Sequence, residues 1–114
     1  MTQKNALIID DEPDIRELLE ITLGRMSINT ESAENIKSAK EFLGRHSFDF
    51  CLTDMKLPDG SGIELVQHIQ SNYPHIPVAM ITAHGNMEFA VEALKAGAFD
   101  FVSKPVNLEL LRKL

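Results

Sequence analysis

This sequence has no excess of basic residues. Against 17 acidic residues stand 11 Lys and Arg, for a formal net charge of −6. The segment is therefore not expected to grip a nucleic-acid backbone, which takes clustered cations. It also has no cysteine pair. Cys51 stands alone, which excludes an internal disulfide, and its place in the run Phe48-Asp49-Phe50-Cys51-Leu52 reads as a buried strand residue. A reducing cytoplasm is consistent with that usage. No apolar run approaches the roughly 20 residues of a membrane span, and Met1–Asn5 carries no signal-peptide core. There is no short internal repeat and no low-complexity tract. A cytoplasmic location away from membranes is the expectation.

The remaining composition suits one folded domain. Hydrophobic residues make up 44% and charged residues 25% of 114 positions, too apolar for disorder and long enough to bury a core without disulfides or a structural metal. Short apolar runs alternate with helical stretches. Ala6-Leu7-Ile8-Ile9 reads as a buried first strand ending abruptly in acid, with Pro13 as the first residue of a helix whose apolar face is Ile15, Leu18, Leu19, Thr22 and Leu23. A polar second strand near Ile28–Glu31 belongs at a sheet edge. Asn35 caps a second helix with Ile36, Ala39, Phe42 and Leu43 inward. Phe48–Thr53 is the third strand. Ser61 and Glu64 have the spacing of a capping box opening a third helix with Ile63, Val66 and Ile69 inward, and Pro74 and Pro77 bracket its exit.

Val78–Thr82 is a fourth strand rich in apolar residues. Asn86 caps a fourth helix with Met87, Ala90, Val91 and Leu94 inward and Gly97 as its stop. Phe99–Val102 is a fifth strand, and Asn107 caps a last helix through Leu114. The sum is an α/β domain over residues 1–114, a flavodoxin-like three-layer sandwich of a five-stranded parallel sheet, order 2-1-3-4-5, with five helices. The chain is expected to be cut within or just after its last helix from a longer protein.

In such a sheet, function gathers at the carboxyl ends of the strands. Asp10, Asp11 and Glu12 follow strand one, Asp54 strand three, Thr82 strand four, and Lys104-Pro105 strand five. The inferred order makes strands one and three neighbours, bringing Asp10, Asp11 and Asp54 together. Two carboxylates about 4 Å apart at an effective dielectric near 20 repel by roughly 4 kcal/mol, so the cluster calls for a cation. Oxygen ligands without Cys or His point to Mg²⁺. Asp54 could then attack an electrophilic phosphorus, with Lys104 as a second positive charge and Thr82 as a hydroxyl donor. His46, His68 and His75 have no ligand spacing and read as surface residues.

Four stretches carry a family resemblance: Asp10-Asp11-Glu12-Pro13, Thr53-Asp54-Met55-Lys56-Leu57-Pro58-Asp59-Gly60-Ser61-Gly62, Thr82-Ala83, and Gly97-Ala98-Phe99-Asp100-Phe101-Val102-Ser103-Lys104-Pro105. In this order and spacing the chain resembles the receiver domains of two-component response regulators. The wording at Ile15-Arg16-Glu17-Leu18-Leu19, Thr82-Ala83-His84-Gly85 and Gly97–Phe101 looks closest to the NtrC-type branch. The resemblance implies Asp54 as the phosphoacceptor, with a phosphohistidine on a sensor histidine kinase as donor. It implies Mg²⁺ held by the side chains of Asp11 and Asp54, by the backbone carbonyl of Lys56, and by Asp10 through water. Thr82 would be the switch hydroxyl, Phe101 the aromatic switch residue and Lys104 the phosphate-binding ammonium, joined to Pro105 by a cis bond.

Phosphorylation would then remodel the surface of the fourth helix and fifth strand, and a homodimer through the helix 4–strand 5–helix 5 face is expected. Phe89, off the inward stripe of the fourth helix, is assigned with Phe101 to that face. His84 and Lys56, bordering the phosphoryl pocket, are expected to set the lifetime of the acyl phosphate. An output region, a transcription activator dependent on an alternative sigma factor, would lie outside these residues.

Competing readings are an aspartyl phosphohydrolase, a flavodoxin-like nucleotide or flavin domain, and a receiver that signals without phosphorylation. The first wants its nucleophile after strand one, at Asp10, in an Asp-x-Asp pattern; positions 10–12 read Asp-Asp-Glu. The second wants a Gly- or Ser/Thr-rich phosphate loop where this chain has acid. The third is disfavoured by the intact acidic, Thr and Lys set.

Overall fold

The run Ala6-Leu7-Ile8-Ile9 has no polar face, so its strand must be covered on both sides. The computed structural model describes residues 4–82 and 87–103, leaving aside the side chains of 82, 87–90 and 100–103. Its elements are β1 (Lys4–Ile9), α1 (Pro13–Arg25), β2 (Ile28–Ala33), α2 (Ile36–Arg45), β3 (Phe50–Asp54), β4 (Lys56–Leu57), β5 (Gly60–Ser61), α3 (Gly62–Asn72), β6 (Val78–Thr82), α4 (Met87–Ala96) and β7 (Asp100–Ser103).

Among the described residues the main sheet is parallel throughout, in the order β2-β1-β3-β6-β7. Ala6, Leu7, Ile8 and Ile9 are each wholly buried, but in opposite directions. Leu7 and Ile9 join a larger core with residues of α2 and α3 and with Ala93 of α4, whereas Ala6 and Ile8 join a smaller one with Leu19 and Leu23 of α1. That division makes the three layers. The polar β2 lies at the edge, half-buried in alternation, as its composition requires.

Local chemistry sets most boundaries. Pro13 opens α1, and the Asn35 side chain accepts from the amide of Ser38 at 2.8 Å to cap α2. Gly97 ends α4 at φ +120, a backbone angle that disfavours any side chain, and a Cβ there would lie 2.3 Å from Gln70 Cγ of α3, so that side chain would have to move as well. Cys51 is buried in β3, and burial pushes its thiol up to about 12, which leaves it without thiolate at neutral pH. The last helix expected from Asn107 and the Asn86 cap lie outside the described residues.

Four expectations need correction. The third strand runs over 50–54 rather than 48–53, so Asp54 is its final residue and not part of the loop beyond it. The Ser61 hydroxyl accepts from the amide of Ile63 at 3.1 Å, one position short of the capping-box partner Glu64. Leu18 is 37% exposed, because α1 seats Leu19, Thr22 and Leu23 and leaves position 18 at the rim. In α4 the inward stripe is turned. Val91 and Leu94 are 40% and 45% exposed, while Ala93 is wholly buried. The tight contact between α3 and the end of α4 selects the small residue for the interface and sends the larger aliphatics outward.

The β4–β5 hairpin has no signature in hydrophobic periodicity. Its turn residue Asp59 reaches across to α2, where its carboxylate oxygens accept from the amides of Ile36 at 2.8 Å and Lys37 at 3.0 Å. These backbone hydrogen bonds, the Ile36 one foremost, hold the Asp59 carboxyl below its ordinary value. A depressed carboxylate stabilises the fold above the pKa it has when unfolded, and that contribution disappears as pH falls through the folded pKa. Asp59→Asn should accordingly lower the melting temperature at pH 7, with the deficit closing as pH drops below the ordinary aspartate range. A deficit independent of pH between 7 and 2 would show that charge at Asp59 plays no part.

Candidate functional site

β1 and β3 are adjacent and in register, with Ile9 opposite Thr53. The residue that follows each of this pair is an aspartate, Asp10 just past β1 and Asp54 at the end of β3, and both are buried, at 0% and 6% exposure. The amide of Asp10 still belongs to the sheet edge, donating to the carbonyl of Ala33 on β2 at 3.0 Å. One Asp10 carboxylate oxygen then accepts from the amide of Glu12 at 2.9 Å. Asp54 is held in a similar way. Its Oδ1 accepts from the amide of Met55 at 2.8 Å, and the same amide lies 3.1 Å from the carbonyl of Ile81 on β6.

Asp10, Asp11, Glu12 and Asp54 each contribute an oxygen to a set lying within 4.8 Å of one another. The deeper two are buried and the outer two, Asp11 and Glu12, are exposed, so the cluster opens to solvent on one side. For the buried pair, Coulomb's law at an effective dielectric near 20 gives a repulsion of about 3 kcal/mol. An all-oxygen, acidic donor set of this spread fits a hard divalent cation, with some ligands reaching it through water.

A close approach completes the loop after β3. The amide of Gly62 donates to the carbonyl of Met55 at 2.7 Å. A Cβ on Gly62 would lie 2.0 Å from the backbone carbonyl oxygen of Asp54. The start of α3 therefore packs directly on the residue that carries the buried carboxylate.

The structure thus brings together three of the residues singled out in the sequence, Asp10, Asp11 and Asp54, and adds Glu12, which had been noted only as the third acid of the loop. Lys56 lies two residues beyond Asp54, in β4, with an exposed side chain. The backbone of Thr82 ends β6 opposite Ser103 of β7, at the same carboxyl edge of the sheet. The side chains of Thr82 and Phe101, and all of Lys104, Pro105 and His84, lie outside the described residues, as does the side chain of Phe89. Sequence reasoning passed over Gly62, Asp59 and Arg16, whose contacts cross between elements.

A family model described as the response regulator receiver domain matches residues 6–114. The chain is 65% identical to the response regulator protein PilR of Pseudomonas aeruginosa over 114 residues, all of this chain and 26% of that protein. It spans about a quarter of the length of the curated relatives it matches. Among solved structures it is similar to the beryllofluoride-activated NtrC4 receiver domain dimer, with TM-score 0.92, 31% identity, and coverage of 97% of this chain and 92% of that one. It is also similar to a response regulator of Burkholderia pseudomallei solved with a phosphorylated aspartic acid, a calcium ion and citrate, with TM-score 0.90, 29% identity, and coverage of 96% and 65%. A single family accounts for the parallel sheet, for the acid gathered at its carboxyl edge and for nearly every residue of the sequence: the chain is a response regulator receiver domain of two-component signalling.

Proposed function

We infer that Asp54 is the phosphoacceptor and that the reaction depends on Mg²⁺. The observation that carries this reading is the burial of Asp54 beside Asp10, with Asp11 and Glu12 contributing oxygens within 4.8 Å. The donor is a phosphohistidine of a sensor histidine kinase. The Asp54 carboxylate attacks phosphorus, a P–O bond forms as the P–N bond breaks, and the imidazole leaves. The Met55 amide holds the carboxylate in one orientation before attack, so less ordering remains for the reacting complex. Asp10, Asp11 and Asp54 would hold the cation, with the backbone carbonyl of Lys56. Bound there, the cation offsets the charge of the carboxylates and of the phosphoryl oxygens. Hydrolysis of the resulting acyl phosphate by the domain itself resets the switch.

Thr82 and Lys104 are assigned to the phosphoryl oxygens, and Thr82 with Phe101 to the switch. The output face is proposed along α4, β7 and the segment that follows, where a homodimer would form. The outward aliphatics Val91 and Leu94, with Phe99 at 46% exposure, support that placement. The NtrC4 receiver structure is itself a dimer. In the parent protein the output is proposed to be a sigma-factor-dependent transcription activator, on the strength of the 65% identity to PilR. Among the described residues no helix is long and apolar enough to cross a membrane, and the cytoplasm is the proposed location.

Treatment with acetyl phosphate and Mg²⁺ tests the central reading, with intact mass as the readout. The cation also has an expected signature in the absence of any donor. At tenfold excess over its dissociation constant, Mg²⁺ should stabilise the fold by about 1.4 kcal/mol, or about 6 °C in melting temperature for a domain of this size. Asp11→Asn should reduce that gain. A melt indifferent to Mg²⁺ would argue against a cation in the cluster.

A further inference from the structure

The β1–α1 loop is held at three points around one residue. The amide of Asp10 is fixed by the carbonyl of Ala33, and its carboxylate by the amide of Glu12. The third point is its carbonyl, which accepts a hydrogen bond from a guanidinium nitrogen of Arg16 at 2.7 Å. Arg16 sits in the first turn of α1, where its own amide donates to the carbonyl of Glu12 at 3.1 Å. Backbone and side chain of one residue thus both return to the acidic loop.

The carbonyl that Arg16 grips belongs to the peptide unit joining Asp10 to Asp11. Turning that unit about its flanking bonds would re-aim the Asp11 side chain while leaving Asp10 anchored by its amide and carboxylate. Asp11 is exposed, so burial does little to fix its direction. The Arg16 hydrogen bond fixes the carbonyl of the peptide unit that leads into it.

We propose that Arg16 is a positioning residue for the divalent-cation site, locking the Asp10–Asp11 peptide so that the Asp11 carboxylate is directed toward Asp54. This rests on the acidic cluster being a metal site. Two effects of Arg16 oppose each other there. Its charge repels an entering cation, so charge alone predicts that removing it strengthens Mg²⁺ binding. Its hydrogen bond organises a ligand, so positioning predicts that removing it weakens binding. Arg16 is only half-buried, and solvent and salt attenuate its charge, whereas its hydrogen bond fixes the direction of the carbonyl whatever the ionic strength. Loss of outer partners of a metal site typically costs about 10- to 100-fold in affinity.

The test is calorimetric titration with Mg²⁺ of the full chain as wild type, Arg16→Ala and Arg16→Lys, with the metal-free melting temperature of each recorded. The expected result is a dissociation constant raised about tenfold in Arg16→Ala, with Arg16→Lys between it and wild type because one donor remains. An unchanged or lowered constant in Arg16→Ala overturns the proposal, and if the metal-free melting temperature also falls, Arg16 has a structural role only. A wild-type chain that takes no Mg²⁺ would instead remove the metal site itself, and the role of Arg16 with it. A constant that rises most in Arg16→Ala and less in Arg16→Lys, with wild type binding normally, is the outcome that positioning requires.

Discussion

Asp54→Asn should abolish the adduct of about 80 Da that acetyl phosphate and Mg²⁺ add to the wild-type chain, a phosphoryl group in place of a proton. Asparagine has almost the shape of aspartate, and its amide oxygen can still accept from the Met55 amide that now bonds Oδ1 at 2.8 Å. The fold should therefore persist. Loss of the adduct together with an unchanged or raised melting temperature separates loss of the nucleophile from loss of structure. An adduct of the same mass that persists in Asp54→Asn, and vanishes in Asp10→Asn, would assign the nucleophile to the end of β1 and revive the phosphohydrolase reading.

Gly62→Ala should be the most damaging single-methyl change near the site. Its Cβ would lie 2.0 Å from the Asp54 carbonyl oxygen and 3.2 Å from Met55 Cα, and both are backbone atoms that cannot turn aside. Ordinary carbon contacts need about 3.5 Å or more, so either α3 or the end of β3 has to move by more than about 1 Å. Overpacking of this kind costs about 3 kcal/mol, equivalent to roughly 12 °C for a chain of this length. Because the atom struck is the carbonyl of Asp54 itself, the proposed nucleophile shifts too. Misplacement by about 1 Å can cost about 100-fold in rate, read as slower formation of the acyl phosphate. Gly44→Ala in α2 is the control. Nothing lies within 4 Å of its Cβ, and replacing a helical glycine should stabilise by up to about 1 kcal/mol. Equal melting temperatures for Gly62→Ala and wild type would mean that the loop after β3 yields easily and does not hold Asp54.

These two experiments probe residues that were legible to different degrees. Asp54 could be read directly, because a parallel strand covered on both faces must be apolar along its length and the acid that ends the run stands out. The same reasoning found β1, β6 and the edge position of β2, and with the order of the strands it assembled Asp10, Asp11 and Asp54. Gly62 could not be read in that way. Whether a glycine is needed depends on which backbone passes beside it, and here that backbone is Asp54, eight positions earlier.

The turned face of α4 shows the same limit. Periodicity favours the stripe with the most aliphatic volume, Val91 and Leu94, but among the described residues it is Ala93 that is buried and Gly97 that lies against Gln70 of α3. Apolar content says that a helix is amphipathic without saying which neighbour it meets or how closely.

The sequence by itself determined the alternation of strands and helices and the acidic strand ends, since each is set by side-chain chemistry over a few consecutive residues. Only the tertiary structure decided that Asp59 caps α2 from 23 residues away, that Arg16 turns back onto the Asp10 carbonyl, and that Glu12 joins the acidic cluster. Those contacts exist once the sheet has closed and brought separate elements together, and no local pattern of residues encodes the distances between them.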